Sequence, residues 1–195
     1  MGEEFEPPTG TGTRQWIIDP IDGTKNFVRG VPVYATLISL YDGETPLLGV
    51  VSAPAMNRRW WASKGEGAWT TVAHDPAPVQ IHVSHVSKLE DASFSYASLG
   101  GWKDLGKRDA LLELCDTVWR TRAYGDFWSY MLVAEGAVDI AAEPELEIYD
   151  MGALVPIVTE AGGTFTSLNG KTGPFDGNAL ASNGLVHSSA LELLS

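Results

Sequence analysis

From Val33 to Thr71 short apolar runs alternate with tight turns, and that alternation leaves little choice of architecture. "VYATLISLY" runs into "DGET", "PLLGVVSAP" into "AMNRR", and "WWASK" into "GEG" before "AWTTV". Apolar runs joined by connections this short can only pair with their neighbours, so the segment reads as an antiparallel meander. Downstream the periodicity becomes mixed. "VQIHVS" (79–84) and "ASFSYAS" (92–98) read as strands, and "KRDALLELCDTVWR" (107–120) places apolar residues at helical spacing. "TRAYG" then leads into "DFWSYMLVAEG", a helix that Gly136 closes. "AVDIAAE" is a short buried strand. "YDMGALVPIVTEAGG" follows as a helix with Asp150 in its first turn, a kink at Pro156 and a stop at Gly162 and Gly163. "GTFTSL" and "ALASN" add strands, and "LVHSSALELL" a last helix. The predicted class is α+β, a meander plus a mixed sheet with helices. With no repeat, low-complexity tract or linker, residues 1–195 are expected to form a single domain around one shared core.

Composition narrows the function. A chain of 195 residues with 44% hydrophobic content can bury a sizeable core. Its net charge of -12 would repel a phosphate backbone, so no nucleic acid is expected as partner. "NRRWW", with Lys64 and Trp69 nearby, reads as a hairpin turn entering a half-buried strand rather than a basic-aromatic binding surface. An acidic protein that handles anionic substrates needs local positive charge, which bound divalent cations can supply. No apolar run approaches the ~20 residues of a membrane span. The opening "MGEEFEPP" has neither a basic nor an apolar leader region, and residues 1–14 read as loop. No membrane partner is therefore expected, and the location expected is cytoplasmic. Cys115, the one cysteine, reads as a small hydrophobe in a reducing compartment. His74, His82, His85 and His187 lack ligand-like spacing, so no zinc site is expected.

The chemistry is concentrated in "WIIDPIDGTKNF", residues 16–27. Asp19 falls where the apolar strand ends. Pro20 has no N–H and a fixed φ, so the chain is expected to leave the ladder there and turn. The turn brings Asp22 beside Asp19 and aims the Ile21 carbonyl inward, a cluster of hard oxygen donors. Two such carboxylates repel each other unless a cation lies between them, and magnesium favours this donor set. Gly23 permits close backbone approach. Thr24 offers an N–H and a hydroxyl at a helix start, where a phosphate is well placed. The same letters also fit a plain Asp-Pro turn with a helix cap, and Asp150 by itself fits a first-turn acid.

"GEE" at 2–4, "WIIDPIDGTKNF" and "YDMGALVPIVTEAGG" at 149–163 together resemble, in order and spacing, the inositol monophosphatase family of magnesium-dependent, lithium-sensitive phosphatases. "GVVSAP" and "SKGEGAW" extend the likeness over essentially the whole chain. Within the family, "DGTKNFVRGVP", "RRWWASKGEGA" and "RAYGDFWSYMLVAEGAVDIAAEP" most resemble histidinol-phosphatases of the actinobacterial type. The resemblance implies a layered αβαβα sandwich, commonly dimeric, that hydrolyses a small phosphate monoester with two or three magnesium ions, manganese substituting and lithium inhibiting. It implies that Glu3, Asp19 and the Ile21 carbonyl hold one ion while Asp19, Asp22 and Asp150 hold a second. Gly23 and Thr24 match the phosphate-contacting positions, with Asp19, Asp22, Thr24 and Glu3 as the catalytic set.

Substrate selection falls to residues around the alcohol. Glu143 stands at the family's spacing for a substrate-contacting acid, and "AAEPE" interrupts an apolar strand with charge. Asp126 is either a second pocket acid or a helix cap. Two acids suit a cationic alcohol such as the amino-imidazole of histidinol phosphate; an inositol phosphate or a phosphorylated sugar or nucleotide is the alternative. Asn183 is either a pocket residue or a turn residue, and Arg122 either a substrate contact or a structural ion-pair donor. The family also carries a preceding portion with an aspartate that orients the attacking water together with the "DGT" threonine. This chain starts almost on its first motif, so a catalytically impaired binding or assembly protein is the remaining expectation.

Overall fold

The computed structural model describes residues 13–72 and 75–195. The meander expected from Val33 to Thr71 supplies four strands of a sheet that has six among the described residues: β1 (Arg14–Asp22), β2 (Ala35–Asp42), β3 (Thr45–Ala53), β4 (Arg58–Ser63), β5 (Ala68–Val72) and β6 (Asp75–Ile81), all antiparallel and in chain order. Strict alternation selects the face that is buried. In β2 Ala35, Leu37, Ser39 and Tyr41 point inward and are buried, while their neighbours are half-buried.

A short helix, α1 (Thr24–Arg29), follows β1. The second sheet takes β7 (Ser93–Tyr96), β8 (Arg120–Arg122), β9 (Ile140–Glu143), β10 (Thr164–Thr166) and β11 (Ala179–Ser182) in the order β10-β11-β9-β7-β8. It is mixed: β7 runs parallel to both β8 and β9, and the remaining pairings are antiparallel. Its helices are α2 (Leu99–Asp104), α3 (Arg108–Thr117), α4 (Asp126–Ala134), α5 (Ile148–Met151), α6 (Leu154–Glu160) and α7 (His187–Leu194).

Two apolar clusters set the layering. In the first, Leu37, Val51 and Trp60 of the meander meet Phe127 and Met131 of α4, Ile157 and Val158 of α6, and Ala141 and Ala181 of the second sheet. In the second, the opposite faces of the same strands, Ile140, Ala142 and Leu180, meet Trp102 of α2, Leu111 and Leu114 of α3, and Leu194 of α7. The order is thus sheet, helix pair, sheet, helices. Period-two alternation in β9 and β11 is what feeds both clusters at once.

Three local expectations are corrected. β1 does not end at Asp19: it passes through Pro20 and Ile21 to Asp22, which pairs with Ala35 across a register shift. The proline is tolerated because β1 lies at the sheet's edge, and the Pro20 carbonyl accepts a hydrogen bond from the Thr36 hydroxyl (2.9 Å). The helix expected over 149–163 breaks into α5 and α6 before Pro156 rather than kinking at it. Pro156 sits in the first turn of α6, where a missing N–H costs no intrahelical bond. The break lets Gly152 approach the meander closely: its carbonyl accepts a bond from the Tyr41 hydroxyl (3.0 Å), and a Cβ there would come within 2.7 Å of the Ser39 hydroxyl. The third correction is α2, unexpected from a stretch containing Gly100 and Gly101 and held by the fully buried Trp102.

Candidate active site

The bulge in β1 determines the site. Asp19 Oδ1 accepts the Ile21 N–H (2.9 Å), closing a turn around Pro20, and the chain re-enters the ladder at Asp22. Asp19 and Asp22 are both buried. Asp150 reaches the same point from α5, held by a capping box in which its Oδ2 accepts the Glu147 N–H (2.7 Å) and the Glu147 side chain accepts the Asp150 N–H. One carboxylate oxygen from each of Asp19, Asp22 and Asp150 lies within 4.8 Å of the others.

These acids line a cavity of about 270 Å³ together with Ile21, Gly23, Thr24, Asp126 and Glu143. Gly23 has φ 77° and forms the N-cap of α1, a conformation that disfavours any Cβ. A Cβ there would also stand 2.7 Å from the Val33 carbonyl oxygen and 3.3 Å from Asp126 Oδ2. Asp126 does not cap α4; that place belongs to Gly125, and Asp126 itself has φ 48°. The Asn26 side chain donates to its Oδ2 (2.6 Å), so α1 helps to hold a strained backbone in place.

The electrostatics are one-sided. Asp19, Asp22, Asp126, Glu143, Glu145 and Asp150 face one cavity, and among the described residues Lys25 is its one basic lining residue. Burial pushes the Asp22 carboxyl well above the usual carboxylate range. The Phe127 N–H (3.0 Å) opposes that shift, and Asp126, Asp19 and Asp150 add to it. Burial likewise raises Glu143 strongly, with Asp22 and Asp126 adding to the effect. Burial raises Asp126 as well, countered by Lys25 and Asn26. All-oxygen donors, mutual repulsion and a cavity between them are the conditions a hard divalent cation satisfies, so the residues present fit such an ion.

Of the residues selected from sequence, Asp19, Ile21, Asp22, Gly23, Thr24, Asp126, Glu143 and Asp150 come together here. Glu3 lies outside the described residues. Asn183 does not line the cavity: its side chain donates to Ser84 Oγ (2.9 Å) and the Val86 carbonyl (2.7 Å) and accepts from the Leu185 and Val186 N–H groups, a buried turn. Arg122 is exposed on β8, and Nη1 donates to the Thr121 carbonyl (2.7 Å) rather than to any group of the cavity. Lys25, Tyr130, Glu145 and Tyr149 line the cavity without having been selected. Helical spacing was the available signal for Tyr130, which stands four residues after Asp126.

The inositol monophosphatase family profile matches residues 1–194. A histidinol-phosphatase from Streptomyces coelicolor is 59% identical, covering 99% of this chain and 73% of that protein. One from Mycobacterium tuberculosis is 56% identical, covering 100% of this chain and 74% of its own length. Among solved structures, an IMPase from Thermotoga maritima superposes with a TM-score of 0.86 at 32% identity, covering 100% of this chain and 72% of that one.

Proposed function

Since the chain belongs to the inositol monophosphatase family, we propose that it hydrolyses L-histidinol phosphate to L-histidinol and inorganic phosphate. The observation that carries the chemistry is the convergence of Asp19, Asp22 and Asp150 within 4.8 Å. Full-length similarity to two histidinol-phosphatases supports the substrate.

Asp19, Asp22, Asp150 and the Ile21 carbonyl would hold divalent cations, magnesium on this reading, with Glu3 completing the set. Bound there, such ions neutralise phosphate oxygens and lower the pKa of a coordinated water. Gly23 and Thr24 receive the phosphate with backbone N–H groups and a hydroxyl, and Thr24 also orients the attacking water. Phe127 N–H holds Asp22 in place, so the ligand carboxylate needs no reorganisation when substrate arrives. On the far side of the ester, Asp126 and Glu143 offer negative charge to the amine and imidazole of the leaving alcohol. A neutral polyol can donate hydroxyl hydrogen bonds to these acids but brings no positive charge to pair with them, which favours histidinol phosphate over an inositol phosphate.

On this reading the reaction belongs to cytoplasmic histidine biosynthesis, and the working unit is a homodimer. The outer face of the meander supports the latter, since Trp16 stands half-exposed opposite Leu40 and Ile18 opposite Ile38. The test is phosphate release from histidinol phosphate, inositol 1-phosphate and fructose 1,6-bisphosphate, with magnesium and with chelator. Magnesium-dependent turnover of the first, lost in Asp19→Asn, is expected. A preference for either other ester, or no release from any, overturns the assignment.

A further inference from the structure

Residues 22–26 and the start of α4 are joined by two hydrogen bonds that run in opposite directions. The Phe127 N–H donates to Asp22 Oδ2 (3.0 Å), and the Asn26 side chain on α1 donates back to Asp126 Oδ2 (2.6 Å). The first bond holds a carboxylate of the acidic cluster; the second holds another acid of the cavity wall. Gly23 limits the space around that second carboxylate, since a Cβ there would stand 3.3 Å from the same Oδ2. Asp126 adopts a φ of 48°, a conformation that persists only where the surroundings hold it. Asn26 itself is half-buried and does not line the cavity, so whatever it does there it does through Asp126.

A carboxylate recognises a cationic ligand well when its orientation is fixed in advance and its charge is not already cancelled. An asparagine amide supplies both conditions. It engages one carboxylate oxygen and so fixes the rotation of the group, leaving the other oxygen to accept from a ligand. Being neutral, it leaves in place the negative charge that a lysine or arginine at position 26 would neutralise. The adjacent cation, Lys25, is exposed, so water screens its effect on Asp126. We propose that Asn26 is a positioning residue for substrate choice, holding the Asp126 carboxylate in the orientation that receives a cationic nitrogen of the leaving alcohol. The inference rests on the substrate reading above and adds to it a residue outside the cavity wall. The chemical class selected is an alcohol that carries an ammonium or imidazolium N–H. The phosphate is received elsewhere, at Gly23 and Thr24, and Asp22 keeps its own bond from Phe127, so Asn26 bears on the alcohol and not on the ester bond.

Asn26→Ala tests this, because alanine favours the helix that Asn26 occupies and removes only the donor. In the magnesium-loaded protein, kcat/KM for histidinol phosphate is expected to fall about tenfold, mostly through KM, as for one lost hydrogen bond to a charged group. On p-nitrophenyl phosphate, whose leaving group carries no cation, the variant is expected to stay within about twofold of the parent. A residue that merely supported the fold would lower both esters alike. The same substitution is then made in an Asp126→Gly background, where glycine accepts the positive φ and Asn26 has no carboxylate to hold. There Asn26→Ala is expected to cost histidinol phosphate nothing further, since two residues acting as one unit are not additive. Equal losses on both esters in Asn26→Ala, or the full loss repeated in the Asp126→Gly background, overturn the inference. If the unaltered protein does not hydrolyse histidinol phosphate, substrate reading and inference fall together. If it does and Asn26→Ala matches it, only the inference falls.

Discussion

Asp22→Asn should make the cation-free protein more stable while weakening its response to magnesium. Asp22 is 8% exposed and faces Asp126, Asp19 and Asp150, so without cations its charge is held against both burial and repulsion. Asparagine keeps the shape, and its Oδ1 can still accept the Phe127 N–H, so the substitution removes charge without opening a void. Relief of a poorly compensated buried group is worth roughly 1–3 kcal/mol. At about 2–4 °C per kcal/mol for a domain of this size, a central value of about 2 kcal/mol raises Tm by about 4–8 °C. Magnesium at one hundred times its Kd should add about 2.7 kcal/mol per occupied site, and the variant should lose the increment of the site that includes Asp22. The order of the two melting temperatures in EDTA therefore converges or reverses when magnesium is added. The pH dependence follows from the raised folded-state pKa. Between the ordinary value of 3.8 and that higher value, the folded state binds a proton that the unfolded state has lost, so stability falls as pH rises. The advantage of the variant should consequently shrink on acidification and vanish below about 3.8. Thermal unfolding followed by circular dichroism reads all three effects. A variant that melts at or below the parent in EDTA, or that gains the parent's magnesium increment, would refute the reasoning.

Glu135 joins the meander to the end of α4, receiving Arg58 Nη2 and the Trp60 indole N–H (2.6 Å). Glu135→Ala strands the Trp60 indole N–H and leaves the Arg58 charge with only Thr70 and Thr71 as acceptors, so it should cost about 3 kcal/mol, with Glu135→Gln retaining part of the stability, read from urea midpoints at constant m. His187 bonds to Thr166 Oγ1 (3.0 Å) and Ser182 Oγ (2.9 Å), and burial lowers its pKa below 6.5. The unfolded chain protonates first as pH falls, so this contribution to stability is full above 6.5 and is lost as pH drops from there through the folded value. The stability difference between the parent and His187→Gln should narrow over that window; a difference independent of pH would count against a neutral buried imidazole.

The strands β2 to β5 were legible because every turn between them is short and each buries one face, so local pattern and pairing coincide. Asp19, Asp22 and Gly23 were legible for the same reason: the constraint lies within a few residues. Asp126 was harder. As a letter it fits a helix cap, and only the approach of Asn26 and Gly23 from another segment shows it facing the cavity. Asn183 and Arg122 sit in polar stretches that look like pocket edges, but satisfying nearby backbone groups absorbed them. Pro156 shows the limit of a proline rule applied without a boundary: its effect depends on whether it falls before or after the first turn, and close packing at Gly152 decided that. Tyr130 stands one helical turn after Asp126, but in an apolar helix that spacing serves core packing equally well, so the sequence does not single it out.

The six-stranded sheet has two outermost strands, and both contain proline: Pro20 in β1, and Pro76 and Pro78 in β6. An open strand flank is a template onto which another chain can dock by continuing the ladder, and "QWII" is the kind of sequence such docking favours. A proline has no N–H to offer such a partner, and the register shift beside Pro20 interrupts the regular ladder of β1. The turn that brings Asp19 and Asp22 together therefore also guards against aggregation, so replacing Pro20 should expose the protein to fibril-like association as well as loosen that acidic cluster.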